Sequence, residues 1–237
     1  VLPLWILFFA RRMRRPLPDP EQPSFRIAMV VTKAPSERWK LVEKTLRAML
    51  SQDFPNPYDV WLADEDPDQE TVAWCEDHGV GITTRRGIPE YQREDWPRRA
   101  RGKEGTLAYF SDTVGDENYD IVAQLDADHI PTTGYLRHIV VPFADPRIGY
   151  VAAPSICDRN AERSWSARGR LYSESILHGA IQAGCNGGWA PACIGSHYAV
   201  RTTALKEIGG LGPELAEDFS TTMMMAGGRW EGAFAID

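Results

Sequence analysis

Tyr119-Asp120-Ile121-Val122-Ala123-Gln124-Leu125-Asp126-Ala127-Asp128-His129-Ile130-Pro131 is the stretch that decides how this chain is read. The apolar run has the character of a β-strand, and it delivers two carboxylates to its carboxyl end, where an α/β sheet places its ligand. Residues two apart on a strand point the same way, so Asp126 and Asp128 are expected to share one cation while Ala127 faces back. Pro131 has no N–H to continue the ladder and stops the strand. Paired carboxylates with water and phosphate oxygens around them suit Mg²⁺ or Mn²⁺, hard ions that prefer oxygen. The same spacing recurs at Asp64/Asp66 and Asp66/Asp68. A solvated turn explains any single copy; the strand ahead of Asp126 raises that one above the others.

On both sides of this strand, strands and helices alternate. Phe25 to Val31, Tyr58 to Ala63, Val80 to Thr84 and Ile148 to Ala153 read as strands. Ser36 to Gln52 carries Trp39, Val42, Leu46, Met49 and Leu50 on one helical face. Gln69 to His78, Lys103 to Val114 and Thr133 to Phe143 read as helices, the first closed by Gly79. Leu171, Tyr172, Ile176, Leu177 and Ile181 mark a longer helix ahead of Gly184. Ala190 to Arg201 is expected to be extended, with two short helices after it. This rhythm predicts an α/β fold, a mainly parallel sheet with helices on both faces.

Composition bounds the partners. At 237 residues with 43% hydrophobic and 25% charged content, the chain holds one large domain with a sizeable core. A net charge of −7 argues against nucleic acid, whose binders are normally basic. Cys75, Cys157, Cys185 and Cys193 form no C-x-x-C pair and read as reduced thiols of a cytosolic compartment. His78, His129, His138, His178 and His197 show no zinc spacing.

The first ten residues, Val1 to Ala10, are uninterrupted apolar sequence, followed at once by Arg11-Arg12-Met13-Arg14-Arg15. A signal peptide carries its positive residues first, and ten residues fall short of the roughly 20 that span a bilayer. Residues 1–15 are therefore expected to be the end of a truncated transmembrane helix with a basic cytoplasmic flank. A surface amphipathic anchor, or a greasy stub packed on the domain, is the alternative. Residues 16–24, Pro-rich, read as a stiff linker into a domain over 25–237.

Further candidates lie at the ends of these elements. Asp64, Glu65 and Asp66 follow the second strand, where a nucleoside could be bound; an acidic cluster at a helix amino terminus explains them equally well. Arg85, Arg86, Arg93, Arg98, Arg99, Arg101 and Lys103 form a basic segment that points to an anionic ligand or lipid headgroups, or to a solvated loop. Lys103 opens a helix, where a lysine and free N–H groups suit a diphosphate. Late in the chain Glu217 and Asp218 precede Met223-Met224-Met225, as functional acids or as helix caps.

Taken together, the chain resembles the cellulose synthase branch of the processive family-2 glycosyltransferases, which have the GT-A fold of nucleotide-diphospho-sugar transferases. The likeness runs from about Phe25 to Asp237. The family's first aspartate matches Asp64, and its Lys-Ala-Gly-Asn-like motif matches Lys103-Glu104-Gly105-Thr106-Leu107. Its Asp-x-Asp motif matches Asp126-Ala127-Asp128, and its Phe-Phe-Cys-Gly-Ser lip aligns with Ala192-Cys193-Ile194-Gly195-Ser196. Its Thr-Glu-Asp motif matches Ala216-Glu217-Asp218. There are departures: the lip has neither phenylalanine, and Lys33-Ala34-Pro35 stands where Tyr-Asn-Glu is usual. The family's Gln-x-x-Arg-Trp, which holds the acceptor sugar, is absent from these residues and is expected beyond Asp237.

The resemblance implies an inverting, single-displacement enzyme moving a sugar, most simply glucose from UDP-glucose, to a β-linked polysaccharide or other glycan acceptor. It implies Mg²⁺ or Mn²⁺ on Asp126 and Asp128, donor binding by Asp64, Lys103 and Asp126, and an acceptor-side lip at Gly195 and Ser196. Asp218, with Glu217 beside it, would take the acceptor proton. It also implies a plasma (inner) membrane location through the N-terminal helix, with the catalytic domain cytoplasmic. A nicotinamide dehydrogenase would need Gly-x-Gly-x-x-Gly after the first strand, where Val31-Thr32-Lys33-Ala34-Pro35 stands. An aspartyl phosphatase would carry its Asp-x-Asp on that first strand. A non-catalytic sugar-nucleotide-binding subunit, or a non-processive family-2 enzyme using another sugar or acceptor, is the alternative.

Overall fold

The computed structural model describes residues 2–14, 24–156, 158 and 161–236. The expected linker, except for Ser24, lies outside the described residues, as do Val1, Arg15, Cys157 and Asp237. Strand β1, Ile27–Lys33, is buried along its whole length. Ile27, Met29 and Val31 join one apolar cluster and Ala28 and Val30 the other, the period of two that a strand covered on both faces must show. One face is closed by Val42, Leu46 and Met49 of helix Trp39–Leu50 and by Leu136 and Ile139 of helix Tyr135–Val140. The other is closed by Leu107 and Phe110 of helix Lys103–Phe110, Leu205 of Thr202–Glu207 and Met225 of Glu217–Gly227. Helices cover both faces, as the alternation predicts.

The remaining strands are β2 (Asp59–Asp64), β3 (Gly81–Thr83), β4 (Ile121–Asp126), β5 (Ile148–Ala152), β6 (His197–Arg201) and β7 (Glu231–Phe234). Their order is β3-β2-β1-β4-β6-β5-β7. Pairing is parallel in β1–β2, β1–β4, β2–β3 and β5–β7, and antiparallel where β6 lies between β4 and β5. Between β2 and β3, the Asp68 carboxylate caps helix Gln69–Asp77 by accepting from the Thr71 N–H at 2.7 Å. Gly79, at φ +66°, ends that helix: the Val80 N–H reaches the Cys75 carbonyl at 2.9 Å and the Gly79 N–H reaches Glu76 at 3.3 Å. The cap is thus Asp68, one turn beyond the Asp64–Asp66 cluster.

Strand β7 has no counterpart among the sequence expectations. It is four residues long and contains Gly232 and Ala233, so no apolar run announces it. Glycine is required there, because a Cβ at position 232 would lie 2.2 Å from Tyr150 Cζ. The fully buried Tyr150 in turn donates its hydroxyl to the Pro191 carbonyl at 2.8 Å.

Residues Leu2–Arg12 form a helix that packs on the domain. Phe9 is buried against Trp189, with ring centroids 5.7 Å apart, and Arg12 lies over the same indole at 4.9 Å. Leu4, Trp5, Leu7 and Phe8 are exposed. Among the described residues no helix is long and apolar enough to cross a membrane. Cys75, Cys185 and Cys193 are buried and unpaired.

Adding a methyl at Gly232 forces Tyr150 out of its slot, and overpacking of this kind costs about 1–3 kcal/mol. Gly232→Ala should lower unfolding stability by that amount in denaturant titration; a change under about 0.5 kcal/mol would mean the β5–β7 contact is not as tight as described.

Candidate active site

Parallel register sets the site. Lys33 at the end of β1 lies opposite Asp64 at the end of β2, and Thr32 lies opposite Asp126 at the end of β4. These carboxyl ends share one edge, on the two sides of β1 where the strand order switches direction. Because β6 runs the other way, the residues ahead of it reach the same edge, and the Asp126 N–H donates to the Ser196 carbonyl at 3.0 Å. Helix Glu217–Gly227 starts beside them, and Lys103, Asp126, His129, the residues ahead of β6 and those that open this helix border one cleft of about 500 Å³.

The strand stops at Asp126, and Ala127-Asp128 form a turn closed by the His129 N–H on the Asp126 carbonyl at 3.1 Å. Asp126 and Asp128 therefore converge through a turn, not through strand alternation as expected. Ala127 does face the core, at 1% exposure. The turn also brings in His129, which the sequence reading left aside. One ligand atom each from Asp126, Asp128 and His129 lie within 4.8 Å of one another. Two carboxylates and an imidazole fit a divalent ion of the Mg²⁺–Mn²⁺ type. Asp126 Oδ1 is in ion-pair contact with the Lys103 ammonium.

Lys103 opens its helix as expected and spans the cleft. Its ammonium contacts the Asp126 carboxylate and the Gly195 carbonyl and stands 3.5 Å from Glu217 Oε1. Gln124 donates to the same Gly195 carbonyl. On its other side, the Gly195 N–H donates to Asp218 Oδ2 at 2.7 Å. A Cβ on residue 195 would sit 2.9 Å from that oxygen, so glycine permits the approach. Asp218 Oδ1 accepts from the Phe219 N–H at 2.8 Å.

Glu217 does not act as a cap. Ala216 occupies the cap position, and the Glu217 side chain is buried toward Lys103. Burial pushes its pKa up, Lys103 opposes the shift, and Asp218 and Asp126 add to it. Asp64 stands at the expected edge but is turned inward with no exposed surface. Its oxygens lie 3.0 and 3.2 Å from the Lys33 ammonium, and Oδ1 accepts from the Asp66 N–H at 2.9 Å. Burial raises its pKa and Lys33 opposes this. Ser196 contributes its carbonyl to Asp126, while its hydroxyl contacts His197 Nδ1.

His197 is stacked between His129 and His178, with centroids 5.6 and 5.7 Å away. Burial depresses its pKa to about 3, so His197 itself is uncharged behind the cleft wall. Beyond it lie Ser155, Arg170 and Glu174. The basic segment divides: Arg93, Arg99 and Arg101 are solvated, whereas Arg85 is fully buried. Lys33, Gln124 and His129 were not singled out from sequence as site residues. His129 carried a signal in its place directly after the Asp-x-Asp pair, and Lys33 only as a departure from the family's pattern.

Among proteins of known activity, the chain is 26% identical over 229 residues to cellulose synthase 1 of Komagataeibacter xylinus, covering 93% of this chain and 14% of that protein. It is 28% identical over 221 residues to the UDP-forming cellulose synthase catalytic subunit of Xanthomonas axonopodis pv. citri, covering 90% and 28%. The chain thus spans less than a third of either relative. The fold is similar to that of a Pyrobaculum calidifontis mannosyltransferase solved with GDP-Man and Mn²⁺, with a TM-score of 0.68 and 20% identity over 100% of this chain and 63% of the other. It is also similar to Mycobacterium tuberculosis glucosyl-3-phosphoglycerate synthase solved with Mn²⁺, UDP and phosphoglyceric acid, with a TM-score of 0.59 and 14% identity over 94% and 75%. Both are glycosyltransferases with the GT-A fold. The sequence profile described as "Glycosyltransferase like family 2" matches residues 23–237, and the chain belongs to that family.

Proposed function

We propose that this protein transfers a hexose, most simply glucose from UDP-glucose, to a hydroxyl of a growing β-linked glycan with inversion at the anomeric carbon. The observation that carries the reading is that Asp126 and His129, with Asp128 grouped beside them, meet Lys103 and Asp218 across one cleft. A divalent ion held by Asp126, Asp128 and His129 would neutralise charge on the departing nucleoside diphosphate. Lys103, at a helix amino terminus, adds a positive charge and free N–H groups on the diphosphate side. Asp218 takes the proton from the acceptor hydroxyl as its oxygen bonds to the anomeric carbon. The bond from that carbon to the diphosphate oxygen breaks, and its electron pair leaves with the nucleoside diphosphate. The Gly195 N–H orients the Asp218 carboxylate, and Asp64, held by Lys33, supports the nucleoside side of the cleft.

A second reading, a non-processive enzyme acting on another sugar or acceptor, is favoured by the polar Arg170–Glu174–His178 flank of the cleft and by the lip without phenylalanines. We further propose that helix Leu2–Arg12 meets a membrane through Leu4, Trp5, Leu7 and Phe8, placing the catalytic domain on the cytoplasmic side of the inner (plasma) membrane.

UDP binding should need Mn²⁺ or Mg²⁺, and Asp128→Ala should weaken it at least tenfold, about 1.4 kcal/mol. Equal affinity in chelator and in metal by calorimetry would reject the metal assignment. Asp218→Asn in the complete enzyme should cut sugar transfer by about 10²–10⁴-fold with donor affinity and melting temperature nearly unchanged; retention of more than about a tenth of wild-type turnover would exclude the base role. Glu217→Gln should be milder. The full-length protein should sediment with membranes, and protease protection that puts the catalytic domain on the outer side would overturn the topology.

A further inference from the structure

Arg85 has no exposed surface, although it begins the most basic stretch of the chain. Its guanidinium donates to the backbone carbonyls of Tyr91, Arg99 (2.9 Å) and Gly102 (2.8 Å) and to the Glu65 carboxylate. A planar fork with several donors in fixed directions suits this, and a lysine could not reproduce it. Its partners flank the donor side of the cleft: Glu65 follows Asp64, and Gly102 precedes Lys103.

The same loop is strained. Arg98 (φ 65°) and Arg101 (φ 59°) occupy the left-handed region, which is unfavourable for residues with a Cβ. Such conformations persist where surrounding contacts over-determine them. Each of these two residues is followed directly by a carbonyl that Arg85 holds, those of Arg99 and Gly102. Gly105, in the first turn of the Lys103 helix, makes room for the clamp, since a Cβ there would lie 2.2 Å from Arg85 Nη1. Sequence reading groups Arg85 with the other arginines of the basic segment, as an anionic-ligand face or a solvated loop; its burial and its carbonyl partners give it another job.

We infer that Arg85 is a positioning residue for donor binding: it fastens the strained 98–102 loop to Glu65 and so aims Lys103 at Asp126 and the Gly195 carbonyl. This rests on the glycosyl-transfer reading only in taking the ligand near Lys103 to be a nucleoside diphosphate.

The test combines hydrogen exchange with calorimetry on wild type, Arg85→Gln, Arg85→Lys, Lys103→Ala and the Arg85→Gln/Lys103→Ala double variant. Arg85→Gln should speed amide exchange over residues 98–106 while strands β1 and β4 stay protected. With Mn²⁺ present it should weaken UDP at least tenfold and uridine less than twofold. Lys103→Ala added to it should cost less than a further twofold, because both changes remove one function. Arg85→Lys should lie between wild type and Arg85→Gln, and it carries the test if Arg85→Gln does not fold. Unchanged exchange over 98–106, a UDP affinity within twofold of wild type, or losses that multiply fully in the double variant would each overturn the inference. A wild type that binds no UDP would instead sink the donor assignment, and exchange alone would then decide whether Arg85 holds the loop.

Discussion

Carboxylates crowded onto one sheet edge are the constraint on which the rest of this structure depends. Glu37, Asp64, Asp126, Asp128, Glu217 and Asp218 all gather there, and like charges at close range oppose folding. Burial and neighbouring acids push Glu37 and Glu217 upward, so part of the negative charge is held at a cost. Two lysines offset it in different ways. Lys33 sinks beside Asp64, forming a buried pair in which neither partner can be lost without stranding the other. Lys103 remains partly exposed and touches Asp126, Glu217 and Gly195 together. The first pair is architecture. The second is a surface contact at the mouth of the cleft.

Strand direction explains why the chain's late motifs reach this edge. An all-parallel sheet would deliver the segment ahead of β6 to the opposite end. By running antiparallel between β4 and β5, β6 returns it to Asp126. That segment makes no ladder of its own before His197, so side chains hold it. Gln182 brackets Ala192, donating to its carbonyl at 3.2 Å and accepting from its N–H at 2.9 Å. Thr222 accepts from the Cys193 N–H at 2.7 Å. The expected extended stretch from Ala190 to Arg201 is thus a strand only over His197–Arg201, with a side-chain-pinned lip before it.

What could be read from sequence follows the same physics. Strands β1, β2 and β4 announce themselves because burial on two faces demands continuous apolar residues, and the acids at their ends then stand out. Strand β7 is silent, because its glycine exists to accommodate Tyr150, a residue 82 positions earlier. Lys33 registers only as a departure from a motif, since its meaning lies in the parallel register with Asp64. Arg85 looks like its neighbours until the loop folds over it. The shared reach of Asp126 and Asp128 was legible, but its cause was not: alternation and a tight turn place the two acids together equally well, and only the turn recruits His129.

The Gly195 peptide ties the two halves of the site together. Its carbonyl accepts from Lys103 and Gln124 on one side, and its N–H donates to Asp218 on the other. Neither contact uses a side chain, so both survive only if the backbone can approach closely, and a Cβ would be 2.9 Å from Asp218 Oδ2. Ile194 anchors that peptide by packing against Ala152, Ala183 and Phe234. A phenylalanine-free lip can therefore keep its position, because its geometry is set by one partly buried aliphatic side chain and by backbone hydrogen bonds. The cleft beside that lip is lined by the polar side chains of Ser155, Arg170, Glu174 and His178. Lip position in this fold is thus independent of the two phenylalanines that the cellulose-synthase pattern carries there.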